Sequence, residues 1–180
     1  SLSTTIAPVM WNDTKINIID TPGYLDFVGE ALQGVRVADN ALIVIDGKNG
    51  IEVGTELAWD YANDAAIPKA FFINKVDDPE ARFSDTFNQL RDLFGMSVCP
   101  IFIPIGDGAD NKGFLNLIDM KAYTYDKSGK KTECDIPVDF QDSAEEFRNV
   151  LYESIAETSE TLMEKFFAEE EITREEAVEA

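Results

Sequence analysis

The chain has 180 residues, with 35 acidic and 15 basic side chains and no histidine, a net charge of −20 near neutral pH. That balance argues against broad binding along nucleic-acid phosphates, which needs lysine and arginine, so DNA is not an expected partner. The lack of histidine removes imidazole acid–base chemistry and histidine-ligated zinc.

Hydrophobic residues make up 44% of the chain, enough to bury a core. No apolar run is long enough to span a membrane. The start, Ser1-Leu2-Ser3-Thr4-Thr5, has neither the basic region nor the apolar run of a secretory leader. It also has no initiator methionine, so a processed or excised segment is expected.

In chain order, residues 2–11 and 15–19 read as strands joined by the polar turn Asn12-Asp13-Thr14, a hairpin. Leu25, Val28, Leu32, Val35 and Ala38 have helical spacing over 25–38. The unbroken apolar run Ala41–Ile45 predicts a strand buried on both faces, as in a parallel sheet. A helix follows at about 52–65, then the buried strand Lys69–Ile73. Asp78-Pro79 suits a helix start, an N-cap acid followed by proline at the first helical position. Phe83, Phe87, Leu90 and Phe94 supply that helix's apolar stripe, and Gly95 ends it.

Val98–Ile105 reads as a third buried strand, which gives the strand–helix alternation of a doubly wound α/β sheet. After Gly113 the character changes. Met120–Tyr125 and Lys131–Ile136 read as short strands around the turn Asp126-Lys127-Ser128-Gly129-Lys130. One long amphipathic helix is expected from Phe140 to Ala168, and Ile172–Glu176 reads as the cap and first turn of another. Residues 141–180 carry 13 acids against Arg148, Lys165 and Arg174. Such a run is either a set of solvated helix faces or a partner-binding surface. Cys99 lies in an apolar run as a core thiol, and two isolated cysteines fit a reduced, cytoplasmic compartment.

Two turns carry the chemistry. Asp20-Thr21-Pro22-Gly23 follows strand Ile16–Ile19, and a carboxylate at the carboxyl end of such a strand lies where open α/β sheets bind ligands. Asp20 there can hold hydrated Mg²⁺, which prefers oxygen ligands. Gly23 lets backbone approach a phosphate and offers its N–H. The same four residues also suit a plain tight turn.

Asn74-Lys75-Val76-Asp77 follows strand Lys69–Ile73. The Asp77 carboxylate can accept both the N1–H and the exocyclic amine of guanine. Asn74 can address the acceptor edge or tie the loop together, and the Lys75 stem can lie across the ring. Adenine lacks both donors and would leave Asp77 unpaired, which costs binding energy. The alternative is a polar loop. Together the two turns predict a guanine-nucleotide site, with GTP or GDP and Mg²⁺ as ligands.

The stretch Trp11–Asp26 and the Asn-Lys-Val-Asp loop resemble the G domain of bacterial elongation factor G. That resemblance implies an α/β, P-loop NTPase-type doubly wound sheet, incomplete here, with an inserted α+β subdomain. It places residues 1–106 in a partial GTP-binding core and 107–180 in the acidic insert. It also implies that Ser1–Val9 ends switch I and that residues 20–34 form switch II. Ser1 stands where the family has its Mg²⁺-ligating threonine. Thr21, Pro22 and Gly23 line the phosphate, and Asn74, Lys75 and Asp77 hold the base. The implied activity is Mg²⁺-dependent GTP hydrolysis on the ribosome during protein synthesis. Partners would be ribosomal stalk proteins, through the insert, and ribosomal RNA.

Two departures stand out. No Gly-x-x-x-x-Gly-Lys-Ser/Thr occurs in the 180 residues, nor does the family's last base-binding loop. The chain is therefore expected to be an internal fragment, inactive by itself. Tyr24 stands where translational GTPases carry a histidine that positions the attacking water. A phenol can bond water but cannot become an imidazolium, so slow or differently triggered hydrolysis is expected, unless Tyr24 is merely an aromatic packed in switch II. Two rival readings stay open. One is a ribosomal protection GTPase of the tetracycline-resistance type. The other is a non-catalytic scaffold derived from a GTPase.

Overall fold

The computed structural model describes residues 1–126 and 128–180, so Lys127 of the expected turn lies outside the described residues. The chain divides into two compact units, Ser1–Asn74 and Lys75–Ala180.

In the first unit, β1 (Thr5–Trp11) and β2 (Thr14–Asp20) form an antiparallel hairpin with Trp11 opposite Thr14. Its two-residue turn, Asn12-Asp13, has positive φ at both positions, 44° and 61°. This backbone matches the twist of the flanking strands, and Asn and Asp tolerate it.

The helix expected over 25–38 is a 3₁₀ turn, Leu25–Phe27, running into α1 (Val28–Val35). Asp26 lies inside that turn, and Tyr24 occupies the cap position without a side-chain cap. The apolar stripe of this segment does not form its contact face, because Leu25 and Leu32 are exposed. Gly34 is the buried residue of α1.

Strands β3 (Ala41–Asp46) and β4 (Lys69–Asn74) pair in parallel, Ile43 opposite Phe71 and Asp46 opposite Asn74. Helix α2 (Val53–Asp64) connects them and starts in a reciprocal cap between Glu52 and Thr55. Trp59 of α2 stacks on Phe71, ring centroids 5.4 Å apart, and Lys69 lies over the same indole at 4.5 Å. This covers one face of the pair only. Ile43 is 6% exposed but Leu42 is 64% exposed, so β3 is not buried on both faces as its composition suggests.

In the second unit, α3 (Phe83–Phe94) starts four residues later than the Asp78-Pro79 pair predicts. Asp78 Oδ1 accepts the Glu80 N–H at 2.9 Å, and its carbonyl accepts the Ala81 N–H. An acid bonded two residues ahead closes a local turn rather than capping a helix. Gly108 packs on this turn. A Cβ there would lie 2.9 Å from the Asp78 carbonyl oxygen, at a φ of 56°.

The strand expected over 98–105 is short, β5 (Phe102–Pro104), because Pro100 and Pro104 supply no ladder donor. It pairs antiparallel with β6 (Gly113–Asn116). The sheet continues through β7 (Lys121–Tyr125) and β8 (Lys131–Cys134) in the order β5-β6-β7-β8.

The expected long helix is two, α4 (Gln141–Ala156) and α5 (Glu160–Phe167). Thr158 Oγ1 donates to the Ile155 carbonyl at 2.7 Å, and Ser159 Oγ caps α5 by accepting the Leu162 N–H at 3.2 Å. A stop and a start side by side interrupt the apolar stripe without breaking its phase. A reciprocal cap between Thr173 and Glu176 opens α6 (Arg174–Glu179). Ile103 and Leu115 from the sheet, and Ile105 and Leu117 directly after β5 and β6, meet Leu151, Ile155, Leu162 and Ile172 in one core. Cys99 packs against this core, and burial pushes its thiol upward.

Candidate functional site

Strand β2 delivers Asp20 as its last residue, because the apolar pattern ends there and Pro22, two residues on, has no N–H to extend a ladder. Asp20 is exposed. Ser1 Oγ donates to its Oδ2 at 3.1 Å. The two expected metal-side residues, 19 positions apart, are thus brought together. Among the described residues no group of three or more His, Cys, Asp or Glu side chains could hold a metal. A carboxylate and a hydroxyl are nevertheless hard oxygen donors. They suit Mg²⁺, which keeps several waters and takes one or two protein ligands beside a phosphate. The donor set therefore fits the ion.

The loop after Asp20 is set by its packing. Pro22 is buried and Thr21 half-buried. Helix α1 lies so close that a Cβ on Gly34 would fall 2.6 Å from Thr21 Cγ2 and 3.4 Å from Ile19 Cγ2. Gly23, by contrast, has open space where a side chain would be. Tyr24 is 71% exposed, so it does not pack as a core aromatic, and its carbonyl accepts the Phe27 N–H at 3.0 Å.

Asn74 ends β4 beside Asp46, and its carbonyl accepts the Gly47 N–H at 2.8 Å. Asp46 closes the following turn, its Oδ1 accepting the N–H groups of Lys48 at 3.0 Å and Asn49 at 3.3 Å. The second unit opens with Lys75–Asp77. Lys75 has a φ of 55°, and its carbonyl accepts the Asp78 N–H at 3.0 Å. The Val76 carbonyl is held by the Gly108 N–H at 3.1 Å, and Asp77 is exposed.

Three residues around the Asp20 turn escape the sequence pattern. Thr4 donates its backbone N–H to Glu30 Oε2 at 2.7 Å and its hydroxyl to the Glu30 carbonyl at 3.2 Å. The Thr4 N–H holds the Glu30 carboxyl below the usual carboxylate range. Gly34 is the third, and a glycine inside a helical pattern is the one available signal. Nothing local links Thr4 to Glu30 across 26 positions. Two hollows of the surface lie elsewhere. One of about 500 Å³ runs along α5 past Met163 and Phe167, and one of about 310 Å³ lies by Leu42 and Pro68. No helix among the described residues is long and apolar enough to cross a membrane.

Strand β2 ending in Asp20-Thr21-Pro22-Gly23, the parallel pair β3 and β4, and the turn after Asn74 define a mixed α/β fold of the P-loop GTPase type. Residues 1–174 match the elongation factor Tu GTP binding domain, and the chain belongs to that family. It is also similar to a crystal structure of a protein from Thermus thermophilus. The TM-score is 0.89 at 32% identity, over 98% of this chain and 26% of that one. The chain thus spans about a quarter of the length of that relative.

Proposed function

We propose that this chain is the part of an elongation factor G-like translational GTPase that runs from switch I through the acidic insert. The protein that carries it would bind GTP and GDP with Mg²⁺ in the cytoplasm and hydrolyse GTP on the ribosome. The observation that carries this reading is the Ser1–Asp20 pair, 3.1 Å apart at the carboxyl end of β2, directly before Thr21-Pro22-Gly23. Membership of a GTP-binding family supports it.

In this reading Asp20 and Ser1 hold Mg²⁺, which when bound neutralises charge on the phosphate oxygens. Gly23 turns its N–H toward the γ-phosphate, and Thr21 and Pro22 fix the loop. Water attacks the γ-phosphorus in line, the bond to the β-phosphate oxygen breaks, and GDP and phosphate leave. The exposed Tyr24 phenol stands at the water position. Asn74, Lys75 and Asp77 read guanine. Residues 107–180, the acidic insert of this reading, would meet stalk proteins, and ribosomal RNA would meet other parts of the protein.

The direct test is nucleotide selectivity in the protein that carries the chain. Calorimetry with Mg²⁺ should show GDP bound far more tightly than ADP. Asp77→Ala should cut that preference by at least about 100-fold, the lower end of the value of two lost hydrogen bonds to a charged acceptor. Equal affinity for GDP and ADP before mutation would overturn the reading. The Tyr24 assignment stands apart from it. Tyr24→His should raise ribosome-stimulated turnover, and an unchanged or lower rate would remove Tyr24 from the water site.

A further inference from the structure

Helix α1 touches both segments that carry the candidate metal-side oxygens. In its first turn Glu30 takes two hydrogen bonds from Thr4, one at Oε2 and one at its carbonyl. One turn later Gly34 lies against Thr21 and Ile19. Ser1 is three residues before Thr4, Asp20 is directly before Thr21, and the two are bonded. The contacts therefore close a ring: Ser1, Asp20, Thr21, Gly34, Glu30, Thr4. The inference rests on the reading of Ser1 and Asp20 as the metal-side pair.

We propose that Glu30 is a positioning residue, which anchors Thr4 to α1 and thereby keeps the Ser1 hydroxyl at the Asp20 carboxylate. The ladder of β1 and β2 begins only at Thr5 opposite Asp20. Residues 1–4 precede it, and Ser1–Ser3 are exposed. Ordering each such residue costs backbone entropy that no ladder bond offsets, and the two Thr4–Glu30 bonds are what hold this segment to α1. A carboxylate accepting an N–H makes a stronger bond than a neutral acceptor. Its place in the first turn of α1 is where the helix dipole favours an acid.

The sign of the carboxyl's shift agrees with this role. A depressed carboxylate contributes fully above its unfolded value, and the contribution is lost as pH falls through the lower folded value. The tether is thus set at neutral pH and released only in acid.

The test uses NMR of the 180-residue chain and needs no turnover. In Glu30→Ala, the backbone order of Leu2–Thr4, read by the heteronuclear NOE, should fall. The Asp20 carboxyl carbon should shift as it does in Ser1→Ala. Glu30→Gln keeps an acceptor without the charge. It should give an intermediate loss of order and a Thr4 amide signal that no longer titrates in acid. Unchanged signals from β3 and β4 report that the fold is kept. Mn²⁺ serves as a probe of the metal side. In the parent it should broaden the Asp20 and Thr4 amides, and in Glu30→Ala the broadening at Thr4 should fall several-fold while that at Asp20 persists.

If both variants leave Leu2–Thr4 ordered and the Asp20 carbon in place, the proposal is overturned. Suppose instead that Mn²⁺ spares Asp20 in the parent while Glu30→Ala still frees Leu2–Thr4 and shifts Asp20. The tether then stands, and the reading of Asp20 as a metal ligand falls.

Discussion

Gly34 carries a packing constraint that its neighbours do not. It is buried in α1, and the methyl of Thr21 occupies the space a side chain would need. In an open helix Gly→Ala gains about 1 kcal/mol from propensity. Here the added Cβ would sit 2.6 Å from Thr21 Cγ2, and overpacking of that kind costs about 1–3 kcal/mol. The second effect wins. Gly34→Ala should lower stability by about 1 kcal/mol net, read as a shift in urea midpoint without a change in slope. Adding Thr21→Ser removes the clashing methyl, keeps the hydroxyl, and should recover most of the loss. If Gly34→Ala stabilises the chain, α1 is free to move off the Asp20 turn, and the ring of contacts around it is looser than its distances imply.

At the level of elements, helix starts and stops decide where sequence pattern succeeds and where it fails. Strands β2 and β4 end at Asp20 and Asn74, close to where their apolar runs stop, so the positions of both turns were legible from hydrophobic pattern plus turn residues. Strand β6 was not legible. Gly113-Phe114-Leu115-Asn116 is four residues long and starts at a glycine that the Tyr123 carbonyl crowds. The break between α4 and α5 was hidden because apolar spacing runs on through it, while the signal lay in the hydroxyls of Thr158 and Ser159. The tether from Thr4 to Glu30 had no sequence signal, since it depends on how a hairpin lies on a helix.

The break gives a direct test of what holds α5. Ser159→Ala removes the acceptor for the Leu162 N–H and should cost about 1 kcal/mol, measured by urea unfolding. No change would mean that burial of Leu162 alone fixes the start of α5.

Over the whole chain, two opposing surface properties meet. The net charge of −20 resists close approach between copies. The open face of β3 and β4 invites it, because Leu42, Val44 and Phe72 alternate with the buried positions and are all exposed. An exposed apolar patch of this kind favours contact with another surface. Which property prevails depends on ionic strength. The Debye length falls from about 14 Å near 0.05 M salt to about 4 Å near 0.5 M. The charge repulsion is therefore screened, while the apolar attraction is kept or strengthened.

The 180-residue chain should accordingly rise in mass, by light scattering, as salt is raised. Phe72→Lys places a charge in the centre of the open face without touching Ile43, Ile45 or the Trp59–Phe71 stack beneath. That variant should stay monomeric at the salt concentration where the parent associates. If the two behave alike, association runs through another surface, and the open edges of the hairpin β1–β2 are the next to be charged.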